Sequence, residues 1–211
     1  MGFDHENVPR VILDIETSPL PDAAQYLEEP TAPSNYTDPV KIAAYIAKAK
    51  AEAVAKCSLD PDLARIVAIG VVEENKLAIA TVRTEDEERK GLEVLWAHYG
   101  AAHFTGYNIP FDLGMLLRRS LYLDVPAPKI AMDRYKHPQW TDLMELLAGH
   151  DPSKRRSLAF YQKRMGLPEL VGEGASVPGW VAAGEWDKVE NHLRADLVTT
   201  AALARKLGVW T

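Results

Sequence analysis

The sequence predicts an α/β fold, a sheet flanked by helices, in one domain over residues 1–211. Three observations predict it. Val11-Ile12-Leu13-Asp14-Ile15-Glu16-Thr17 reads as a buried strand. Arg65-Ile66-Val67-Ala68-Ile69-Gly70-Val71-Val72 is a near-continuous apolar run, as expected of a central strand covered on both faces. Late in the chain, Trp186, Val189, Leu193, Leu197, Ala201, Ala204 and Leu207 repeat at helical spacing over residues 185–207. With 47% apolar residues, a chain of 211 can fill a single core.

Within the first strand, Asp14 and Glu16 stand two residues apart and so share a face. Two carboxylates among Val, Ile and Leu repel each other and raise each other's pKa unless a cation neutralises them. Oxygen ligands of this kind suit a hard divalent ion, Mg²⁺ or Mn²⁺. A lone pair of acids is more often the plain end of an edge strand, so further carboxylates are needed to decide. From 18 to 39 the prolines at 19, 21, 30, 33 and 39 mark an extended excursion. Asp38-Pro39 then opens a helix whose Ile42, Tyr45, Ile46, Ala49, Ala53 and Val54 form one face, with Lys41, Lys48, Lys50 and Lys56 around it. Residues of about 18–60 therefore read as an insertion. It is either a solvated amphipathic helix, the favoured reading, or a flap that helps hold a strand beside the active site. Cys57, the single cysteine, excludes an internal disulfide and a cysteine-based zinc cluster and reads as a packing residue.

After the run at 65–72, a turn at 73–76 and a strand at 77–82 form a hairpin. Thr84 with Glu87 fits a capping box for a helix to about 98 through Leu92, Leu95 and Trp96, with His98 and His103 as structural histidines. A short strand at 103–107 leads into Asn108-Ile109-Pro110-Phe111-Asp112. There Asn108 is placed to cap a helix, Pro110 suits its first turn, and Asp112 meets the positive end of its dipole. Residues 121–131 are irregular, and residues 140–147 return to periodic apolar residues, with Asp142 at an element start. The densest basic patch is Lys154-Arg155-Arg156 with Lys163-Arg164, either a solvated face or a phosphate-contacting helix start. Residues 172–178 read as a loop. In the last helix, His192 and Asp196 lie one turn apart on one face.

The net charge of −6 argues against a protein coated in basic charge for nucleic acid, though not against a nucleic acid enzyme whose carboxylates hold metals. No apolar run is long enough to span a membrane. Residues 1–7 lack the basic and apolar blocks of a signal peptide, so a cytoplasmic location is expected.

Taken in order, Asp14-Ile15-Glu16-Thr17, Asn108-Ile109-Pro110-Phe111-Asp112 and His192-Leu193-Arg194-Ala195-Asp196 resemble the three motifs of the DEDD superfamily of 3′–5′ exonucleases. The nearest resemblance is to the exonucleases related to the proofreading domain of family B DNA polymerases. These also carry an Asp-Leu, here Asp142-Leu143, and a Ser-Leu helix ending in Gly-Leu-Pro, here Ser157-Leu158 to Gly166-Leu167-Pro168. The resemblance covers most of residues 9–207 outside the insertion. It implies a ribonuclease-H-like mixed sheet and two Mg²⁺ or Mn²⁺ ions held by Asp14, Glu16, Asp112 and Asp196. It further implies His192 as the general base. Thr17, Asn108, Phe111, Arg155, Arg156 and Lys163 would contact substrate, and Asp142 would either support the site from behind or cap its helix. One departure stands out: the tyrosine branch has tyrosine four residues before its aspartate, and the histidine branch has histidine five residues before. Here the spacing belongs to one branch and the residue to the other.

The implied activity is two-metal hydrolysis at DNA 3′ ends, with single-stranded DNA as substrate. Two other readings stay open: a catalytically silent module that binds DNA or docks on a polymerase or replication partner, and an RNA-trimming exonuclease of the same fold. Oligomeric state and processivity are not written in the residues.

Overall fold

The structure, a computed structural model, describes residues 8–133 and 138–210. The expectation drawn from residues 1–7 lies outside them. Among the described residues, β1 (Arg10–Pro19), β2 (Ala64–Glu73), β3 (Lys76–Thr81), β4 (His103–Gly106) and β5 (Trp140–Asp142) form a five-stranded sheet in the order β3-β2-β1-β4-β5. β1 runs antiparallel to β2 and parallel to β4, and β4 runs parallel to β5. The sheet is therefore mixed, with β1 in its middle.

Between these strands lie α1 (Pro39–Lys56), α2 (Glu85–Tyr99) and α3 (Ile109–Tyr122). After β5 come α4 (Leu143–Ala148), α5 (Leu158–Met165), α6 (Val177–Ala183) and α7 (Trp186–Lys206). Side chains of β1 alternate between two cores. Val11, Leu13 and Ile15 pack with Leu92 and Trp96 of α2 and Leu113 and Leu116 of α3. Ile12 packs on the opposite face with Val189, Leu193 and Leu197 of α7. Asp14 and Glu16 continue the α7 face, so the strand's own period points both acids toward the last helix.

Local chemistry explains the element ends. Thr84 accepts from the Glu87 amide while the Glu87 carboxylate accepts from the Thr84 amide, the reciprocal cap expected of α2. Asp38 caps α1 and Ser157 caps α5. A two-residue turn with Glu74 at φ 54° joins β2 to β3. α2, α3 and β2 are locked together by a buried pair in which Arg119 donates to both oxygens of Glu88, at 2.7 and 2.9 Å. The amide of Ile66 donates to the same carboxylate.

Several details differ from expectation. β1 continues through Ser18 to Pro19, and α3 takes in Leu121 and Tyr122. β5 spans three residues, too short for a periodic signal. Val177 and Pro178, read as the end of a loop, open α6, because proline is compatible with a helix's first turn. α1 carries no fully buried residue, and its half-buried positions are Ile42, Ile46, Ala49, Ala53 and Val54. Cys57 at its end is buried, and desolvation raises its thiol pKa, consistent with a packing role. Among the described residues no helix is long and apolar enough to cross a membrane.

Candidate metal centre

Asp14 and Glu16 face the smallest residues of the neighbouring strand: Asp14 pairs with Gly70 and Glu16 with Ala68. A Cβ built on Gly70 would lie 2.4 Å from Leu197 Cδ1 and 3.1 Å from Leu193 Cδ2, so glycine is what lets α7 come down onto the sheet here. That approach delivers Asp196 and His192, each one residue before a leucine that touches Gly70.

Asp112 arrives from α3. Pairing of β1 with β4 ends at Ile12 and Thr105, which leaves the Ile15 amide free of the ladder. Asp112 Oδ1 accepts from it at 3.1 Å. Gly106 lets β4 and the start of α3 come close to β1; a Cβ there would meet Ile109 Cδ1 at 2.7 Å and Leu13 O at 2.9 Å. The structure thus brings together Asp14, Glu16, Asp112 and Asp196 from β1, α3 and α7.

The electrostatics are those of an uncompensated cluster. Burial, then Asp112, Glu16 and Asp196, push the Asp14 carboxyl well up. Burial, then Asp196 and Asp112, do the same to Glu16. Burial raises Asp112 to about 8 against the pull of the Ile15 amide, and burial raises Asp196 although His192 partly offsets it. Among the described residues no lysine or arginine pairs with any of the four. Asp196 Oδ1 is buried with no hydrogen-bond partner. Hard oxygen donors with raised pKa values and no protein counter-charge fit a divalent cation.

His192 is buried at 4% exposure between the Glu16 and Asp196 carboxyl groups. Its Nε2 lies 3.5 Å from Glu16 Oε1 and its Nδ1 lies 3.8 Å from Asp196 Oδ1. Nδ1 is 2.6 Å from the Val171 carbonyl oxygen, which only accepts, so Nδ1 carries a hydrogen, and in the neutral ring the lone pair is on Nε2. The Trp180 ring packs at 71° against the imidazole, centroids 5.8 Å apart. Neither Val171 nor Trp180 was foreseen. They lie 21 and 12 positions before His192, and only tryptophan's need for a partner hinted at a role.

Other expected site residues take different tasks. Asn108 does not cap α3. It sits in the left-handed region (φ 62°), which turns its side chain away from the helix amides, and its own amide donates to Asp142 Oδ1 at 2.8 Å. The same Asp142 oxygen accepts from Met144, so Asp142 both caps α4 and ties α4 to the turn beside the site. Its second oxygen is buried without a partner. Thr17 is buried, and its hydroxyl donates to the Ser58 carbonyl at 2.6 Å, fastening the insertion's end to β1. Phe111 packs partly into the core beneath α3. Arg155 is paired with Glu145, Arg156 donates to Ser153 and Arg155 carbonyls, and Lys163 is exposed in the last turn of α5. The Tyr107 hydroxyl donates to the Arg156 carbonyl, which holds this basic segment near the end of β4. His103, at 3.0 Å from the Pro138 carbonyl and 2.8 Å from Thr141 Oγ1, is a structural histidine as expected.

Against this geometry, residues 59–207 match a family described as "Predicted 3′-5′ exonuclease related to the exonuclease domain of PolB". The chain belongs to this family. A solved structure of the family B DNA polymerase from the hyperthermophilic archaeon Pyrobaculum calidifontis superposes on 98% of the chain, with a TM-score of 0.64 and 17% identity. The match takes in 25% of the polymerase chain, so this chain spans a quarter of the polymerase's length and shares its fold over that part. The curated proteins compared contain no match. The PolB-related family covers β2 to α7, while Asp14 and Glu16 precede the matched segment and join it through the sheet.

Proposed function

We propose that the protein is a metal-dependent 3′–5′ exonuclease that hydrolyses phosphodiester bonds at single-stranded DNA 3′ ends. The observation that carries this reading is the cluster of Asp14, Glu16, Asp112 and Asp196, buried over the sheet with no cationic partner among the described residues. Buried unneutralised carboxylates cost on the order of several kcal/mol. A module that only bound DNA or docked on a polymerase would gain nothing from that cost.

Two divalent ions, Mg²⁺ or Mn²⁺, held by the four carboxylates would neutralise phosphoryl charge and lower the pKa of an attacking water. The chain supplies the geometry around them. Asp112 is oriented by the Ile15 amide, and Asp196 and His192 are held by α7 against Gly70. A groove of about 740 Å³ between α1 and α6, lined by Ser18, Lys50, Val54 and Gly179, opens beside the end of β1 and offers room for a single strand. Across the site, Phe160 and Tyr161 stack edge to face beside the exposed Arg156 and Lys163, a combination that suits bases and phosphates of an unpaired strand. Asn108 is exposed at the mouth, next to Asp142.

The test uses single-stranded DNA labelled at either end, an RNA of the same sequence, and Mg²⁺, Mn²⁺ or EDTA. Wild type should shorten DNA from the 3′ end only with metal, and Asp14→Ala should not. Absence of metal-dependent shortening sinks the enzyme reading; preferential loss of the RNA reassigns the substrate.

A further inference from the structure

We infer that His192 is a metal ligand through Nε2, completing with Glu16 and Asp196 a mixed nitrogen–oxygen site. The inference rests on the four-carboxylate reading above and goes beyond it, since that reading needs oxygen ligands alone and leaves His192 as the proton acceptor.

Three features carry it. One ligand atom from each of Glu16, His192 and Asp196 lies within 4.8 Å of the other two. Donors about 2.1 Å from a common ion stand roughly 3.0 Å apart when adjacent and about 4.2 Å apart when opposite, so Glu16 and Nε2 need only small adjustments to share one, and a turn of the Asp196 carboxylate, now 3.8 Å from Nδ1, would complete the set. The 3.5 Å between Nε2 and Glu16 Oε1 already falls in that range. Next, the imidazole is held as metal-ligating histidines are held: the far nitrogen donates to a backbone carbonyl, here Val171, which fixes the tautomer and aims the other lone pair inward. Finally, the ring is immobilised. It is 4% exposed and flanked by Trp180. A general base must take a proton and release it each cycle, and Nε2 cannot use one lone pair for a proton and a metal together.

The consequence is selectivity. Magnesium takes oxygen ligands, whereas imidazole suits later divalent ions such as Co²⁺ or Zn²⁺, so a nitrogen in the site turns preference away from Mg²⁺, least strongly toward Mn²⁺, which also suits carboxylates. The exchange of tyrosine's hydroxyl for histidine at this position then changes the metal used rather than the strength of a base.

The experiment needs no substrate. Mn²⁺ is titrated into metal-free wild type, His192→Phe, His192→Tyr and Asp112→Asn by calorimetry, with Mg²⁺ in parallel. Pulsed electron paramagnetic resonance then tests bound Mn²⁺ in wild type for nitrogen coupling, using protein with ¹⁵N-labelled histidine. We expect a histidine nitrogen coupling in wild type. Because losing an outer partner alone weakens metal binding by roughly 10–100-fold, His192→Phe and His192→Tyr should weaken Mn²⁺ by at least about tenfold and Mg²⁺ by less. The spectroscopic arm uses unmutated protein, so a variant that folds poorly does not decide the outcome. Mn²⁺ bound without nitrogen coupling, weakened by Asp112→Asn and indifferent to His192→Phe, overturns the inference and leaves the carboxylate site intact. Failure of wild type to bind either ion overturns both.

Discussion

Asp112→Asn should stabilise the metal-free protein while weakening its response to metal. Asparagine keeps the shape and still accepts from the Ile15 amide, so the change removes charge and little else. In the wild type, burial raises the Asp112 pKa from 3.8 to about 8. Below about pH 4 the folded and unfolded chains both hold this proton, and burial carries no ionisation penalty. Between there and about pH 8 the folded chain keeps a proton that the unfolded chain has released, so stability falls as pH rises, by up to about 1.4 kcal/mol per unit. The whole shift corresponds to on the order of 5 kcal/mol, and proton sharing with Asp14 and Glu16 together with local relaxation leaves a realistic gain of about 2–3 kcal/mol. For a chain of this size that is roughly 5–10 °C in Tm. Differential scanning fluorimetry in EDTA from pH 5 to pH 9 measures it. Wild-type Tm should decline with pH, Asp112→Asn should melt higher at pH 8 with a flatter profile, and saturating Mn²⁺ should raise the wild type far more than the variant. A metal-free wild type that gains stability between pH 5 and 8, or an Asp112→Asn protein less stable than it at pH 8, would refute the electrostatic account.

Arg119→Met strands the buried Glu88 carboxylate, and removing one partner of such a pair costs about 3–5 kcal/mol; urea unfolding should show it, and a loss under 1 kcal/mol would mean the pair is dispensable. Gly70→Val forces a side chain into space held by Leu197 and Leu193, costing about 1–3 kcal/mol and displacing α7 from β1. Calorimetric Mn²⁺ affinity should therefore drop even in the folded variant, and an unchanged affinity would show that α7's approach does not set the site. Arg156→Glu with Lys163→Glu should weaken single-stranded DNA binding and, at about 0.7 per lost phosphate contact, flatten the slope of log K against log salt by roughly 1.4. A parallel slope would place the DNA elsewhere.

Much of the framework was legible because it depends on periods internal to one element. The alternation of β1 put Asp14 and Glu16 on one face, and the structure points that face at α7. The stripe of α7 and the reciprocal cap of α2 lie where their spacing placed them. β5 and α6 were not legible, the first for shortness, the second because Pro178 and Gly179 carry the composition of a loop. Asn108 was misjudged for another reason: asparagine serves equally as a helix cap and as a left-handed residue, and what selects between them is the Asp142 carboxylate, 34 residues away.

By itself, then, the sequence determined the sheet-and-helix framework, the acid pair on the first strand and the one-turn spacing of His192 and Asp196. Backbone geometry sets those relations within a few residues, whatever surrounds them. The tertiary structure decided which acids meet, that Thr17 is spent on Ser58, and which nitrogen of His192 faces Glu16. Those outcomes depend on packing between distant segments. Gly70 admits α7, the vacant Ile15 amide recruits Asp112, and the Val171 carbonyl orients the imidazole, and none of these partners can be paired from spacing alone.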